Sequence, residues 1–238
     1  MRSLWQTLSD HFYPERADFT MTRNIGAELS DQLVDSYPIL IRRDLGNSLS
    51  SLLRQGDWFE VGIKGDADYQ GKAWLEYATK RQYQFMRDRK SNFVRATKEG
   101  DHDYCTFGQT VISVEMNRNR DGLLYRCWHL RDCAWFDDED GSVGGLARKW
   151  TPKITDLIKV FGEKRMHPKV LEVKDKTPLK EVNCRHLVIP SEMYGEESLM
   201  RFKYVSIWID VDNQHEIACY GENHFMYVVP RFQTIAGS

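Results

Sequence analysis

The predominant spacing of apolar residues along this chain of 238 residues changes near residue 107. Before that point apolar side chains recur every three or four positions, which is typical of helices with one buried face. After it, apolar and polar residues alternate, which is typical of strands in a half-covered sheet. Helices followed by antiparallel strands predict an α+β fold, because a parallel sheet would need strands and helices in alternation.

The first part, residues 1–107, is predicted to contain helices and one strand. The helices are expected at residues 3–12, 30–55, 72–89 and 92–107. Pro38 falls inside the second helix and predicts a kink or a division there. The strand is expected at residues 58–63, where apolar and polar side chains alternate. Residues 15–28 are polar and irregular, so they are expected to form an exposed arm.

The second part, residues 108–238, is predicted to be β-rich, with an inserted helix at residues 151–162. Its early strands should form one antiparallel meander, turned by Asp121-Gly122, a pair that favours tight hairpins. Those strands are expected at residues 110–116, 123–130, 133–136 and 143–150. Thr151-Pro152 predicts the helix start, since threonine caps helices and proline fits their first position. Later elements are expected as a short helix near 169–173 and strands at 182–189, 202–211, 216–220 and 226–229.

Composition is that of an ordinary globular protein. Charged residues make up 29% of the chain and the net charge is −2, so the total charge gives no sign of a nucleic-acid binder. No segment approaches the roughly 20 consecutive apolar residues that cross a membrane. The N-terminus lacks the apolar core of a secretion signal. The five cysteines are expected to be reduced and inert, and the protein to be soluble and cytoplasmic.

No catalytic, cofactor-binding or metal-binding residues are predicted. The sequence has neither a phosphate-binding loop nor an HExxH zinc motif. The cluster Asp101-His102-Asp103 is interpreted as an exposed connector rather than a site. Asp210 and Asp212, near His215, are interpreted as turn residues, because Asp and Asn side chains bond their own backbone in turns. The acids at residues 137–141 also predict a turn, since they lack the ligand spacing of a calcium loop.

Basic residues are crowded between residues 80 and 98. One hypothesis is a face that contacts phosphates or a neighbouring subunit. The alternative is a solvated helix face, because Glu76, Asp88 and Glu99 are interspersed among the basic residues. The candidate contact residues are Arg81, Arg87, Arg89, Lys90 and Arg95.

Several short segments share their order and spacing with a known family. They are Leu4-Trp5-Gln6 to Phe12-Tyr13-Pro14, Asp35 to Asn47 with Gly56-Asp57-Trp58-Phe59, Phe107-Gly108-Gln109-Thr110-Val111, Lys149-Trp150-Thr151 to Gly162, and Val229-Pro230-Arg231-Phe232. In these segments the chain resembles the head-to-tail connecting (portal) proteins of short-tailed, T7-like bacteriophages, and it matches their N-terminal wing region.

The resemblance implies a structural subunit of a dodecameric ring at one capsid vertex, and not an enzyme. The implied partners are other portal subunits, the capsid shell, terminase, the tail adaptor and the double-stranded DNA that passes through the channel. No cofactor is implied. The implied location is the virion, with the host cytoplasm during assembly.

One departure concerns length. Family members continue after the step matched by Pro230-Arg231-Phe232 into stem, clip and crown elements, and this chain is expected to end before them. Two alternatives to the portal hypothesis stay open. The first is a stand-alone prophage α+β binding domain with weak nucleic-acid contact, and the second is an enzyme whose site the sequence does not reveal.

Overall fold

The computed structural model describes residues 1–21, 33, 35–117 and 119–232. The chain divides into two compact units. The first unit comprises residues 1–131 and 226–238, and the second comprises residues 132–225. The predicted division at residues 107 and 108 falls between a helix and a strand of the first unit. N-terminal helices and antiparallel strands are both present, so the predicted α+β class is confirmed.

The first unit contains the four long helices. They are α1 (Arg2–Phe12), α2 (Tyr37–Leu53), α3 (Tyr69–Arg87) and α4 (Phe93–Phe107). Each was predicted from its spacing of apolar residues. Pro38 lies in the first turn of α2, where a missing N–H has no helical partner to lose, so the predicted kink is wrong. Residues 30–32 and 34 of the predicted helix lie outside the described residues.

The segment after α1, predicted as an exposed arm, is partly buried. Ala17 and Phe19 are 2% and 5% exposed. The Phe19 ring meets Phe107 edge to face at a centroid distance of 5.2 Å. Its backbone N–H donates to Gln6 Oε1 at 2.8 Å. The prediction is therefore wrong around Ala17 and Phe19, and residues 22–28 lie outside the part of the chain that the structure describes.

The predicted strand at residues 58–63 is wrong, because this segment joins no sheet. Its backbone is bonded by side chains of α3 instead. The Phe59 N–H donates to the Tyr83 hydroxyl at 3.0 Å, and that hydroxyl lies 3.2 Å from the Phe59 carbonyl, to which it donates. The Val61 N–H donates to Thr79 Oγ1 at 3.0 Å. A helix thus supplies the partners that a neighbouring strand would otherwise provide.

The strands form two separate antiparallel sheets. In chain order they are β1 (Val111–Met116), β2 (Leu123–Trp128), β3 (Cys133–Asp137), β4 (Val143–Trp150), β5 (Cys184–Pro190), β6 (Tyr204–Asp210), β7 (His215–Glu222) and β8 (Tyr227–Val228). The first unit holds the order β2-β1-β8, and the second holds β3-β4-β5-β6-β7. The predicted single meander through β1 to β4 is wrong, because the chain changes sheet between Trp128 and Cys133.

The hairpin of β1 and β2 is confirmed, with Val111 opposite Trp128 and Met116 opposite Leu123. Strand β8 returns to the other side of β1, where Ile112 pairs with Val228. Gly108 makes this return possible by ending α4 at φ +74°, a left-handed conformation that glycine adopts without steric cost. Its carbonyl then accepts a hydrogen bond from the Phe232 N–H at 2.8 Å.

The second unit packs two helices, α5 (Ile154–Phe161) and α6 (Pro168–Lys174), into one apolar core with its sheet. Its buried members are Ile154, Leu157, Met166, Val170, Val182, Cys184 and Ile217. Both helices were predicted. The predicted cap is wrong, since α5 starts after Lys153, whose backbone bridges Glu181. The loop after β5 contains a short helix, α7 (Ser191–Tyr194).

Candidate functional site

The five predicted basic residues lie on consecutive elements of the first unit and are all exposed. Arg81 and Arg87 are on α3, Arg89 and Lys90 form part of a 3-10 turn, and Arg95 is on α4. Several of them have local partners. Arg95 Nε lies 3.1 Å from Glu99 Oε1, Lys90 Nζ lies 3.5 Å from Asp121 Oδ2, and Arg81 donates to Gln84 at 3.0 Å.

The cluster Asp101-His102-Asp103 is not an exposed connector, so that prediction is wrong. It lies within α4, and Asp101 and Asp103 are 7% and 1% exposed. Each of its side chains meets an arginine from an earlier part of the chain. Arg54 pairs with Asp101, Arg42 donates to His102 Nδ1 at 3.2 Å, and Arg16 Nη2 lies 3.2 Å from Asp103 Oδ2. We call these six residues the buried charge cluster.

Asp103 is the most deeply buried member of this cluster. Burial raises its pKa to about 6, although the Arg16 guanidinium opposes this shift. The Cys127 thiol donates to Asp103 Oδ2 at 3.7 Å, whereas Oδ1 has no hydrogen-bond partner among the described residues. Burial, with Asp103 beside it, raises the pKa of Cys127 to about 12, so this thiol stays protonated at neutral pH. A protonated thiol is a poor nucleophile and a poor metal ligand.

The arginines of the cluster hold separate segments together. The Arg42 guanidinium lies 3.8 Å from the centre of the Tyr13 ring, and its Nε donates to the Phe12 carbonyl at 3.2 Å. Burial and the nearby Arg42 lower the pKa of His102, which favours the neutral ring that accepts from this guanidinium. The arrangement connects α1, α2 and α4 through charge-assisted hydrogen bonds. Its geometry indicates a structural role.

The other acidic motifs are turns, as predicted. Asp210 accepts hydrogen bonds from the backbone and the side chain of Asn213, at 3.2 and 2.7 Å. At the β3–β4 turn the Gly141 N–H donates to the Asp138 carbonyl at 2.9 Å. Within the described ranges no three His, Cys, Asp or Glu side chains are placed to hold a metal ion. Across the same ranges, none of the helices has the length and apolar character of a bilayer span.

One polar cluster in the second unit was not predicted. His186 is fully buried in β5, and its ring stacks on Trp208 at a centroid distance of 3.8 Å. Its Nε2 lies 2.8 Å from Ser206 Oγ. Burial, and then the nearby Arg148, lower the pKa of His186 to about 3, so the ring is neutral. This burial had one indication in the sequence: His186 occupies a position in an alternating segment whose side chains are expected to face the core.

Helix α2 exposes several apolar side chains. Its buried residues are Arg42 and Gly46, which face α4 and the charge cluster. The exposed apolar residues, between 42% and 71% exposed, are Tyr37, Leu40, Ile41, Leu45, Leu52 and Leu53. Ile41, Leu45 and Leu52 lie along one side of the helix at positions i, i+4 and i+11, and an apolar stripe of this kind is typical of contact sites.

Helix α3 adds further exposed aromatic residues. Tyr69, Trp74 and Tyr77 are 88%, 62% and 59% exposed. Exposed tryptophan and tyrosine are enriched among residues that dominate protein–protein binding. The first unit therefore exposes apolar and aromatic side chains on both α2 and α3.

Comparison with curated proteins gives no match for this chain. Comparison with family models gives one that spans residues 1–238 and is described as bacteriophage head to tail connecting protein. That match covers the segments that carried the resemblance, the buried charge cluster and both exposed helices. The chain therefore belongs to the family of bacteriophage head to tail connecting proteins.

Proposed function

We propose that this protein is a non-enzymatic subunit of a phage portal ring through which genomic DNA is packaged and ejected. The family match along residues 1–238 carries the proposal, since connector proteins have a structural role in phage particles. The location that follows is the virion, at one capsid vertex, after assembly in the host cytoplasm.

The exposed apolar side chains of α2 support association of copies. A monomer would leave Ile41, Leu45 and Leu52 in water, and burial of a leucine or isoleucine side chain contributes about 1.5–3 kcal/mol. A second copy that covers this face would recover that free energy. Ring closure needs a heterologous contact, in which each copy presents two different surfaces to its neighbours.

The partners in the proposal are other portal subunits, the capsid shell, terminase, the tail adaptor and double-stranded DNA. Electron microscopy and mass photometry of the full gene product test the ring. Closed rings, dodecameric in the proposal, are expected. A strictly monomeric product at micromolar concentration would contradict the proposal.

The exposed face of α2 can be tested in the same measurement. Leu45→Glu with Leu52→Glu should abolish assembly and leave the fold unchanged, because both side chains are more than half exposed. Val160→Glu, on the exposed side of α5, is the matched control and should assemble normally. If the α2 variant assembles like the wild type, α2 is not part of the subunit contact.

Weak nucleic-acid contact is a second candidate function, favoured by the exposure of Arg81, Arg87, Arg89, Lys90 and Arg95. Such binding should weaken steeply with salt, because phosphate contacts release counterions. The triple variant Arg87→Glu, Arg89→Glu and Arg95→Glu should then lose binding to a DNA duplex in fluorescence anisotropy. The control changes three exposed lysines of the second unit, Lys164, Lys169 and Lys180, to Glu. Equal binding by both variants would contradict a role for this zone.

A further inference from the structure

Strand β2 is an edge of its sheet, and a groove lies beside it. The sheet order β2-β1-β8 leaves the outer side of β2 without a strand neighbour. The groove has a volume of about 240 Å³ and lies between β2 and helix α4. Its lining residues are Asn92, Arg95, Ala96 and Glu99 of α4 with Tyr125, Arg126, Cys127 and Trp128 of β2.

The lining shows that the groove follows the strand edge and not one face of the sheet. Side chains of a strand alternate between its two faces. Four consecutive residues, 125 to 128, nevertheless line this groove. A groove between a helix and an open strand edge is the geometry in which an extended segment is added as a further strand.

Basic side chains lie along the edge of β2. Arg126 lies on the strand itself, is exposed, and has no ion pair within the described part of the chain. Arg95 is on α4 and Lys90 is in the 3-10 turn that packs against β2. Their side chains are 79% and 71% exposed, and they pair locally with Glu99 and Asp121, so the unpaired charge at this edge is that of Arg126. A strand with acidic residues near one end would complement this edge.

The chain itself contains such a strand. Strand β3 is an edge of the five-stranded sheet, with Ala134 and Phe136 exposed. It leads directly into the exposed acidic turn Asp138-Glu139-Asp140, which has no ion pair among the residues described. At the opposite edge, β7 is already contacted by other segments. Tyr194 donates to Glu216 at 3.0 Å, and His215 Nε2 lies 2.9 Å from the Arg165 carbonyl.

We propose that the open edge of β2 in one copy pairs with the β3 edge and acidic turn of the next copy. This inference rests on the proposed function, because it supplies one contact of the ring. We take the pairing to be antiparallel, as in all described strand pairs of this chain. In that orientation the acidic turn lies beyond the Leu123 end of β2, which is also the end near Lys90. The contact is heterologous, since β2 and β3 are different surfaces, so repetition of it closes a ring or extends a filament.

A charge-reversal cycle on the full gene product tests the pairing. The first variant is Lys90→Glu with Arg126→Glu, and the second is Asp138→Lys with Asp140→Arg. Each should weaken self-association roughly tenfold to hundredfold by mass photometry, because like charges then face each other across the contact. The two variants mixed together, or all four changes in one chain, should restore association to near the original level. The control, Lys164→Glu with Lys169→Glu in the second unit, should have no effect, because both side chains are exposed and lie outside the two strands.

The outcomes separate this inference from the proposed function. Wild-type rings with unchanged association in both charge variants would overturn the β2–β3 pairing and leave the connector role intact. Weakening without restoration in the combined chain would also overturn it, because β3 would not be the occupant of the β2 edge. A wild-type chain that stays monomeric would overturn both. Circular dichroism and thermal unfolding of each variant confirm that the fold is retained.

Discussion

The two units are stabilised in different ways. The second unit joins five strands in sequence order around a core of apolar side chains, so most of its contacts connect neighbouring parts of the chain. The first unit has an apolar cluster under its small sheet, and buried aromatic rings of Trp5, Phe19 and Phe107 join α1 to α4. Beside these rings the helices also meet at arginines and aspartates. Those partners come from distant positions, such as Arg54 and Asp101, which are 47 residues apart.

This difference affects what each unit exposes. The second unit places its main apolar cluster between helices α5 and α6 and its sheet. The first unit buries Arg42 and Gly46 of α2 and leaves Ile41, Leu45 and Leu52 of the same helix exposed. An exposed apolar stripe on a helix is suited to contact with a neighbouring molecule.

Among single substitutions, loss of an arginine in the buried charge cluster should reduce the stability of the protein most. Arg16→Met leaves the Asp103 carboxylate buried without its cation, which should lower the free energy of unfolding by about 4 kcal/mol at pH 7. Hydrogen exchange with mass spectrometry, which follows each unit separately, should show the loss in the first unit only. Addition of Asp103→Asn should restore most of the stability. A loss below about 1 kcal/mol would mean that the pair contributes little.

A cavity in the core of the second unit should have a somewhat smaller effect. Leu157 is fully buried, so Leu157→Ala should cost about 3 kcal/mol, seen as faster hydrogen exchange confined to residues 132–225. Val160→Ala, on the exposed side of the same helix, is the control and should change stability by less than about 0.5 kcal/mol. Equal effects of the two substitutions would refute the assigned core.

Overpacking between α2 and α4 should have the next largest effect on stability. A Cβ on Gly46 would overlap the His102 ring, which Arg42 already holds in place. Gly46→Ala should therefore destabilise the first unit by about 2 kcal/mol, measured by urea unfolding. Gly62→Ala is the control, because a Cβ at residue 62 would meet nothing within 4 Å. A stabilised Gly46→Ala protein would show that His102 can move aside.

Acidification should act in opposite directions on the two units, by at most about 1.4 kcal/mol per pH unit for each group. The folded pKa of Asp103, about 6, lies above the ordinary value of 3.8. The contribution of Asp103 to the free energy of unfolding is therefore greatest at low pH and is lost as the pH rises through 6. The folded pKa of His186, about 3, lies below the ordinary 6.5, so its contribution is lost as the pH falls below 6.5.

The measurement compares wild type with Asp103→Asn and with His186→Gln between pH 4 and 7. The stability of wild type relative to Asp103→Asn should rise as the pH falls, and relative to His186→Gln it should decrease. His102, whose pKa burial lowers, opposes the Asp103 trend in wild type, but it is present in both proteins of that pair and so cancels in the difference. Parallel pH curves for wild type and either variant would contradict the assigned environment of that residue.

The sequence predicted local elements well and distant partners poorly. Helical spacing located α1, α3 and α4, and alternation located the strands, because both patterns arise from one covered face. The strand at residues 58–63 was wrong because Thr79 and Tyr83, two helix side chains, bond its backbone. The connector at Asp101–Asp103 was wrong because its arginine partners lie far away in the chain. No local pattern shows which guanidinium will reach a given carboxylate.

The candidate surfaces were predicted only in part. The exposed residues Lys90 and Arg95 were named from the density of basic residues, but the groove beside β2 depends on the strand order, which spacing does not give. The chain changes sheet at residues 129–132, and the short segment there carries no signal that separates a turn within one sheet from a passage to another. Surface function in this chain therefore depends on topology more than on motif.

The return of residues 226–232 to β1 has a consequence for synthesis on the ribosome. Residues 132–225 are inserted between two parts of the first unit, and β8 emerges only after them. Domains generally fold as units while the chain is being made, N-terminal parts first. Here the inserted unit is complete while the sheet of the earlier unit still lacks its third strand. We therefore expect the second unit to fold first, although most of the other unit precedes it in translation.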